Sequence, residues 1–210
     1  MENLLDLYEE DYDELFPVVC VDEKPIQLIE ETRTPIPAKQ GRAKRIDYEY
    51  RRNGSCNLFV AIEPLRGRRR LKATTRRTKK DFAEFIKELV EDPAYAAARK
   101  IRVVLDNLNT HKPETLYERF DPETARQVLR KVEFHYTPKH GSWLNMAEVE
   151  ISVLQAQCLK RHIPSQEFLE KEVAAWESLR NGRNATIAWN FTVLKARDKM
   201  SKAYLSLQSG

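Results

Sequence analysis

Apolar positions along this chain change period several times, and each change marks an element. Between residues 2 and 15, Leu4, Leu5, Leu7, Tyr8 and Leu15 fall partly on one side of a helix whose remaining positions are acidic. Pro17-Val-Val-Cys-Val-Asp22 is a short apolar run closing in an acid, and Pro25-Ile-Gln-Leu-Ile29 alternates, which predicts two strand segments or one strand broken at Lys24-Pro25. Residues 30–46, with Pro35, Pro37 and several bases, read as a loop. Further strands are predicted at Tyr48–Tyr50, Cys56–Ile62 and Arg69–Thr75, with Asn53-Gly54 as the turn of a hairpin between the first two, giving an antiparallel meander.

From Lys79 the period becomes helical, with Phe82, Phe85, Ile86, Leu89 and Val90 on one face and a stop near Asp92-Pro93. Ile101-Arg-Val-Val-Leu-Asp106 is a short branched run that suits a buried strand. A helix is expected after Lys112-Pro113, a loop around Asp121-Pro122 and a strand over Val132–Tyr136. A long helix follows over 143–161, then another from a Ser165 cap to about Arg180, ended by Asn181-Gly182. The tail Ala185–Ser206 reads as an extended piece and a last helix. Antiparallel strands followed by alternating helices and strands predict a mixed α/β domain.

Composition narrows the picture. The chain has 210 residues, enough for one domain with a proper core. Charged residues make up 32%, yet aromatic and β-branched residues run throughout, which excludes global disorder. No apolar stretch approaches the ~20 residues that cross a bilayer, and the acidic start lacks the features of a signal peptide, so a cytoplasmic protein is expected. Cys20, Cys56 and Cys158 are too scattered to suggest a disulfide framework or a zinc site. Residues 1–16 carry seven acids and no Lys or Arg, so the rest of the chain has 36 bases against 25 acids. That surplus points to a polyanionic partner such as DNA. A basic run, Arg66, Arg68, Arg69, Arg70, Lys72, Arg76, Arg77, Lys79 and Lys80, is the candidate phosphate-binding region, against the alternative of a solvated sheet edge. In a strand of period two it cannot all lie on one face.

Two acids occupy comparable positions: Asp22 closes one apolar run and Asp106 another. An ionised Asp there is costly to desolvate unless a cation or hydrogen bonds compensate, although either alone reads equally well as a loop cap. A third acid comes from the segment Tyr136-Thr-Pro-Lys-His-Gly-Ser-Trp-Leu-Asn-Met-Ala-Glu148-Val-Glu150, where a strand runs through a polar turn into a helix. Glu148 and Glu150 lie about 200° apart around a helix, so both cannot face one site, and periodicity leaves the choice open.

The runs Val-Val-Leu-Asp106-Asn-Leu-Asn-Thr-His111 and Tyr-Thr-Pro-Lys-His-Gly-Ser-Trp-Leu-Asn-Met-Ala-Glu148 resemble the catalytic blocks of DDE transposases, in particular the bacterial insertion-sequence group of the six-thirty type related to mariner elements. The resemblance extends from about Pro17 to Tyr204 and includes Trp189-Asn-Phe191 and Ala196-Arg197. It implies an RNase H-like catalytic domain over 17–206, preceded by an acidic segment 1–16 and followed by a tail 207–210. It also implies that Asp22, Asp106 and Glu148 bind two Mg²⁺ ions, replaceable by Mn²⁺. Met146-Ala147 stands where mariner relatives carry Pro-Ile, and Glu148 follows Asp106 by 42 positions, a long interval whose surplus is expected in an Arg119–Arg126 loop.

Three hard carboxylates suit the chemistry. Two Mg²⁺ ions can activate an attacking oxygen and neutralise the leaving oxygen of a phosphodiester, with no His or Cys needed as ligand. The resemblance further implies nicking at the ends of a DNA element and transfer of the 3′-hydroxyl ends into a target, usually TA. Asn107, His111, His140 and Asn145 flank the acids and are candidates to orient ligands or water, or equally to cap turns. Trp143 is expected to pack under the helix rather than stack on a base. Expected partners are double-stranded DNA, a separate or missing N-terminal helix-turn-helix module, and a second copy on DNA, with no membrane. The competing readings are another RNase H-like nuclease and an inactive transposase-derived DNA-binding protein.

Overall fold

The computed structural model describes residues 1–33, 38–43 and 49–201. The predicted strand start at Tyr48, the residues after Ser201 and the tail 207–210 lie outside them. Strands β1 (Val18–Glu31), β2 (Tyr50–Glu63), β3 (Arg68–Thr74), β4 (Ile101–Leu105) and β5 (Val132–Tyr136) form one mixed sheet in the order β3-β2-β1-β4-β5. The first three strands are an antiparallel meander, whereas β4 runs parallel to β1 and β5 parallel to β4. Helices α1 (Glu2–Glu9), α2 (Lys79–Val90), α3 (Glu114–Arg119), α4 (Pro122–Lys131), α5 (Met146–Gln157), α6 (Gln166–Gly182) and α7 (Val193–Lys199) cover its two faces. The expected α/β architecture is therefore present. No helix among the described residues is long and apolar enough to cross a membrane.

Strand alternation divides the core. Val19, Val21, Phe59, Ala61, Val103 and Leu105 pack against α2, α3 and α4. The helical stripe of α2 supplies Phe82, Phe85, Ile86 and Leu89, all buried, with Phe85 stacked on Phe59 at 5.1 Å between ring centres. Each such side chain contributes roughly 1.5–3 kcal/mol of burial. The start of α2 is fixed by a capping box between Thr78 and Asp81. On the opposite face Leu58, Val60, Ile26 and Leu28 meet α5 and α6, while Cys20, Ile62 and Val104 meet α1 and α7. The acidic N-terminal segment thus buries Leu4, Leu5, Leu7 and Tyr8 in the same core, and Glu9 accepts a hydrogen bond from the first residue of α7 at 3.0 Å.

Helix α6 closes the outer edge of β3. Asn181 accepts from the Arg69 backbone N–H at 2.8 Å and donates back to its carbonyl at 2.9 Å, and Glu177 accepts from the Leu71 N–H at 2.9 Å. These bonds use backbone groups that an exposed edge would offer to another chain. Beneath them Arg69, fully buried, pairs with Glu150 of α5 at 2.7 Å, and Arg180 of α6 reaches the same carboxylate at 3.0 Å. At the β2–β3 turn Gly67 has φ +69°, and a Cβ there would stand 2.5 Å from the Asn184 backbone, so only glycine fits.

Four local expectations are corrected. Asn53-Gly54 is not a hairpin turn: it lies inside β2, where Gln27 pairs with Ser55 and Ile29 with Arg52, so two steps on β1 oppose three on β2. Gly54 at φ +94° is part of this bulge. The turn chemistry is real, but the long partner strand recruits it as an extra residue. Strand β1 likewise continues through Pro25, because β4 pairs only with Val18–Cys20 and Pro25 sits where β1 has a free edge. The Arg119–Arg126 loop is mostly helix, since Asp121 caps α4 by accepting from Glu123 and Thr124. The long helix 143–161 is shorter at both ends: Ser142–Leu144 form a 3₁₀ turn, and α5 spans Met146–Gln157.

Replacing Glu150 by Ala leaves Arg69 buried beside a cavity with only Arg180 and backbone carbonyls near it, and should cost about 3–5 kcal/mol. Glu148→Ala, on the other side of the same helix, should cost under about 1 kcal/mol. Urea unfolding of the two variants checks this contrast, and equal losses would contradict it.

Candidate active site

The parallel pairing of β1 with β4 sets Cys20 opposite Val104, so Asp22 and Asp106 each follow two positions later, side by side at the same edge of the sheet. Both continue the alternation of Cys20 and Val104 and belong to the face that α5 covers. Glu148 stands in the first turn of α5. Its helix is tied to the strand by Asn145, a buried residue whose side chain caps α5 through the Ala147 N–H at 3.1 Å and donates to the Val21 carbonyl at 2.8 Å. One amide therefore sets the height of Glu148 above the residue that precedes Asp22.

The electrostatics report that proximity. Burial pushes the Asp22 carboxyl up to about 6; the Glu23 N–H, 2.7 Å from Asp22 Oδ1, opposes the rise, and the charges of Asp106 and Glu148 add to it. Among the described residues no three His, Cys, Asp or Glu side chains are gathered closely enough to hold a metal ion as they stand. The three acids form an open cluster in which Asp22 feels the charges of the other two. Its donors are hard oxygens, with no thiol among them, which suits Mg²⁺ or Mn²⁺ better than zinc. Glu150, the alternative that periodicity left open, is consumed by Arg69 and Arg180.

His111 is the second buried feature. Its Nδ1 lies against Asp106 Oδ1 and its Nε2 is 3.1 Å from Glu23 Oε1. Burial alone would lower its pKa, but the hydrogen bonds and charges of Asp106 and Glu23 outweigh that and raise it to about 9, so the ring donates from both nitrogens near neutral pH. The other flanking candidates diverge. Asn107 is exposed and accepts from Lys112, and His140 is exposed in a turn with φ 63°. Trp143 is not packed under the helix: it is 44% exposed and meets Phe191 edge-on at 5.2 Å.

The basic run splits into separate environments. Arg69 is buried and cannot reach a phosphate. Arg68 and Arg70 pair with Asp92, Arg70 and Lys72 with Glu88, and Arg66 lies 3.9 Å from Glu63. Arg77 pairs with Glu23 at 3.0 Å and Lys79 with Glu118 at 2.6 Å. Arg76 and Lys80 are exposed with no carboxylate partner among the described residues, and they line an open groove of about 600 Å³ with Thr75, Thr78 and Asp81. Sequence reasoning missed Glu23 altogether. Its only local signal is adjacency to Asp22, and neighbouring strand residues face opposite ways.

Residues 17–170 match the family described as DDE superfamily endonuclease, which is more than half of the chain. The chain belongs to that superfamily. The endonuclease domain is similar in fold to three solved Mos1 structures. The pre-cleavage Mos1 transpososome gives a TM-score of 0.57 at 13% identity, covering 90% of this chain and 61% of that one. The Mos1 mariner paired end complex with Mn gives 0.54 at 14%, covering 88% and 55%. The Mos1 Strand Transfer Complex gives 0.51 at 16%, also covering 88% and 55%. At these identities the likeness is one of fold, the RNase H-like mixed sheet, and the domain spans little more than half of the matched chains. No curated protein sequence matches it.

The raised pKa of Asp22 makes a stability prediction for the DDE domain. Its folded value near 6 exceeds the unfolded value of 3.8, so ionising Asp22 opposes folding, fully above about pH 6 and not at all below about pH 4. Without divalent ions, Asp22→Asn should be more stable than the parent by on the order of 1–3 kcal/mol at pH 7.5. The gain should shrink as pH falls towards 4. Urea titrations in EDTA at several pH values measure it, and a gain that grows on acidification would contradict the assignment.

Proposed function

We propose that this domain is the catalytic part of a DNA transposase that hydrolyses phosphodiester bonds at the ends of an element and transfers the freed 3′-hydroxyls into target DNA. Asp22, Asp106 and Glu148 hold two Mg²⁺ ions, which Mn²⁺ can replace. The observation that carries this reading is the arrangement at the sheet edge, where Asp22 and Asp106 end adjacent parallel strands beside the first turn of α5 that carries Glu148, a cluster in which burial makes Asp22 costly to ionise. Such a cluster is unfavourable alone and becomes favourable with a divalent cation. When bound, the cations lower the pKa of the attacking oxygen and neutralise the leaving one.

The chain's own residues do the positioning. Asp22 and Asp106 offer ligands from adjacent strands, Glu148 offers one from α5, and Asn145 keeps that helix in place. Membership in an endonuclease superfamily and the fold shared with the Mos1 mariner paired end complex with Mn and the Mos1 Strand Transfer Complex support the reading. Within it the enzyme is of the six-thirty type and inserts at TA. It acts as a homodimer on DNA, and end recognition falls to a separate or missing N-terminal helix-turn-helix module. Arg76 and Lys80 take phosphates.

With supercoiled DNA carrying the element ends and Mg²⁺, the domain supplied with its end-recognition module should nick, whereas Asp22→Asn, Asp106→Asn and Glu148→Gln should each lose at least about 100-fold in rate while retaining DNA in gel shifts. Undiminished Mg²⁺-dependent cutting by Asp106→Asn would reject the assignment. For DNA binding, removing Arg76 and Lys80 together should make the slope of log affinity against log salt shallower by about 2. Arg70→Ala, whose charge is already paired, should leave that slope unchanged. Fluorescence anisotropy across a salt series reads both.

A further inference from the structure

The strand that carries Asp22 to one face of the sheet carries Glu23 to the other. Glu23 pairs across β2 with Phe59, on the side covered by α2, and its side chain is only 2% exposed. There Oε1 is 3.1 Å from His111 Nε2 and Oε2 is 3.0 Å from Arg77 Nε. His111 is wholly buried, with its ring 4.6 Å from that of Phe82, and its backbone carbonyl accepts from the Tyr136 hydroxyl at 2.8 Å. Its other nitrogen meets Asp106 Oδ1. Four side chains, Arg77, Glu23, His111 and Asp106, thus form one continuous polar chain that passes around the edge of the sheet.

A turn-forming histidine needs only a backbone carbonyl to be satisfied, so a buried carboxylate is an expensive way to hold it. The arrangement makes sense for orientation. A planar imidazole held at both nitrogens has no freedom to rotate, and the carboxylate it binds is fixed in turn. Asp106 stays 27% exposed, and its Oδ2 has no hydrogen bond to any described residue. One oxygen is clamped and the other is left to the cleft.

We propose that Glu23 is a positioning residue of the cutting site, acting through His111 to orient the Asp106 carboxylate for a divalent cation. This rests on the function proposed above and adds to it a residue on the far face of the sheet.

Mn²⁺ alone is the probe, with free Mn²⁺ followed by electron paramagnetic resonance during titration of the full chain. Glu23→Ala should weaken binding about 10-fold, and Glu23→Gln, which keeps an acceptor for the His111 ring, should recover it to within about 3-fold of the parent. His111→Ala should weaken binding to a similar extent, and the double variant should lose no more than either single, because both act through one path. Unchanged Mn²⁺ affinity in Glu23→Ala, or losses that multiply in the double variant, would overturn the proposal. If Glu23→Ala does not fold, His111→Phe decides, since it keeps the packing on Phe82 but donates no hydrogen bond: a similar loss supports the relay and parent-like affinity ends it. A parent chain that takes up no Mn²⁺, or an Asp106→Asn variant that binds as well as the parent, would instead bring down the metal site itself.

Discussion

Glu150 sits fully buried between Arg69 from the sheet and Arg180 from α6, and this fixes the rotation of α5 about its own axis. A buried ion pair of this kind adds little net stability compared with an apolar replacement, yet turning one partner away would strand a charge in the core. The helix therefore has one permitted orientation. With Glu150 directed at β3 and α6, Glu148 is carried about 200° around to the other side, towards the ends of β1 and β4. The side-chain amide of Asn145 fixes the remaining freedom, translation along the strand, through its bond to the Val21 carbonyl. Two polar anchors thus define a position that apolar packing alone would leave loose.

The same edge stores an electrostatic cost. Asp22 is buried enough to resist ionisation, and its neighbours add negative charge, so ionising it opposes folding of the free domain. Sites that must bind a highly charged ion or transition state commonly accept such a penalty, because the ligand reverses it. Part of the charge is compensated within the chain: the imidazole of His111 lies between Asp106 and Glu23, and Arg77 closes the series from outside.

The basic surplus also looks different once folded. Seven of the nine cations between Arg66 and Lys80 pair with carboxylates from β1, β2, α2, α3, α5 and Asp92, which leaves Arg76 in the turn after β3 and Lys80 at the start of α2 as the part able to meet another anion. Arg77 belongs to that turn, and side-chain contacts run from it through Glu23 and His111 to Asp106.

Much of this was legible in the sequence. Short branched runs ending in Asp22 and Asp106, the amphipathic stripe of α2 and the Ser165 cap of α6 are local signals, set by side-chain periodicity and by which residues satisfy free backbone groups. They were enough to predict a mixed α/β domain and to single out Asp22 and Asp106 as candidates, each of which read equally well as a loop cap. The third needed a resemblance, because helical periodicity separates Glu148 from Glu150 without saying which faces the sheet. Only the tertiary structure could decide that, by bringing Arg69 and Arg180, 111 positions apart, onto one carboxylate. It also turned Asn53-Gly54 from a hairpin into a bulge and gave Glu23 a partner 88 positions away. Local sequence specifies what each segment prefers, whereas pairing between distant segments determines which preference is used and which side chains meet.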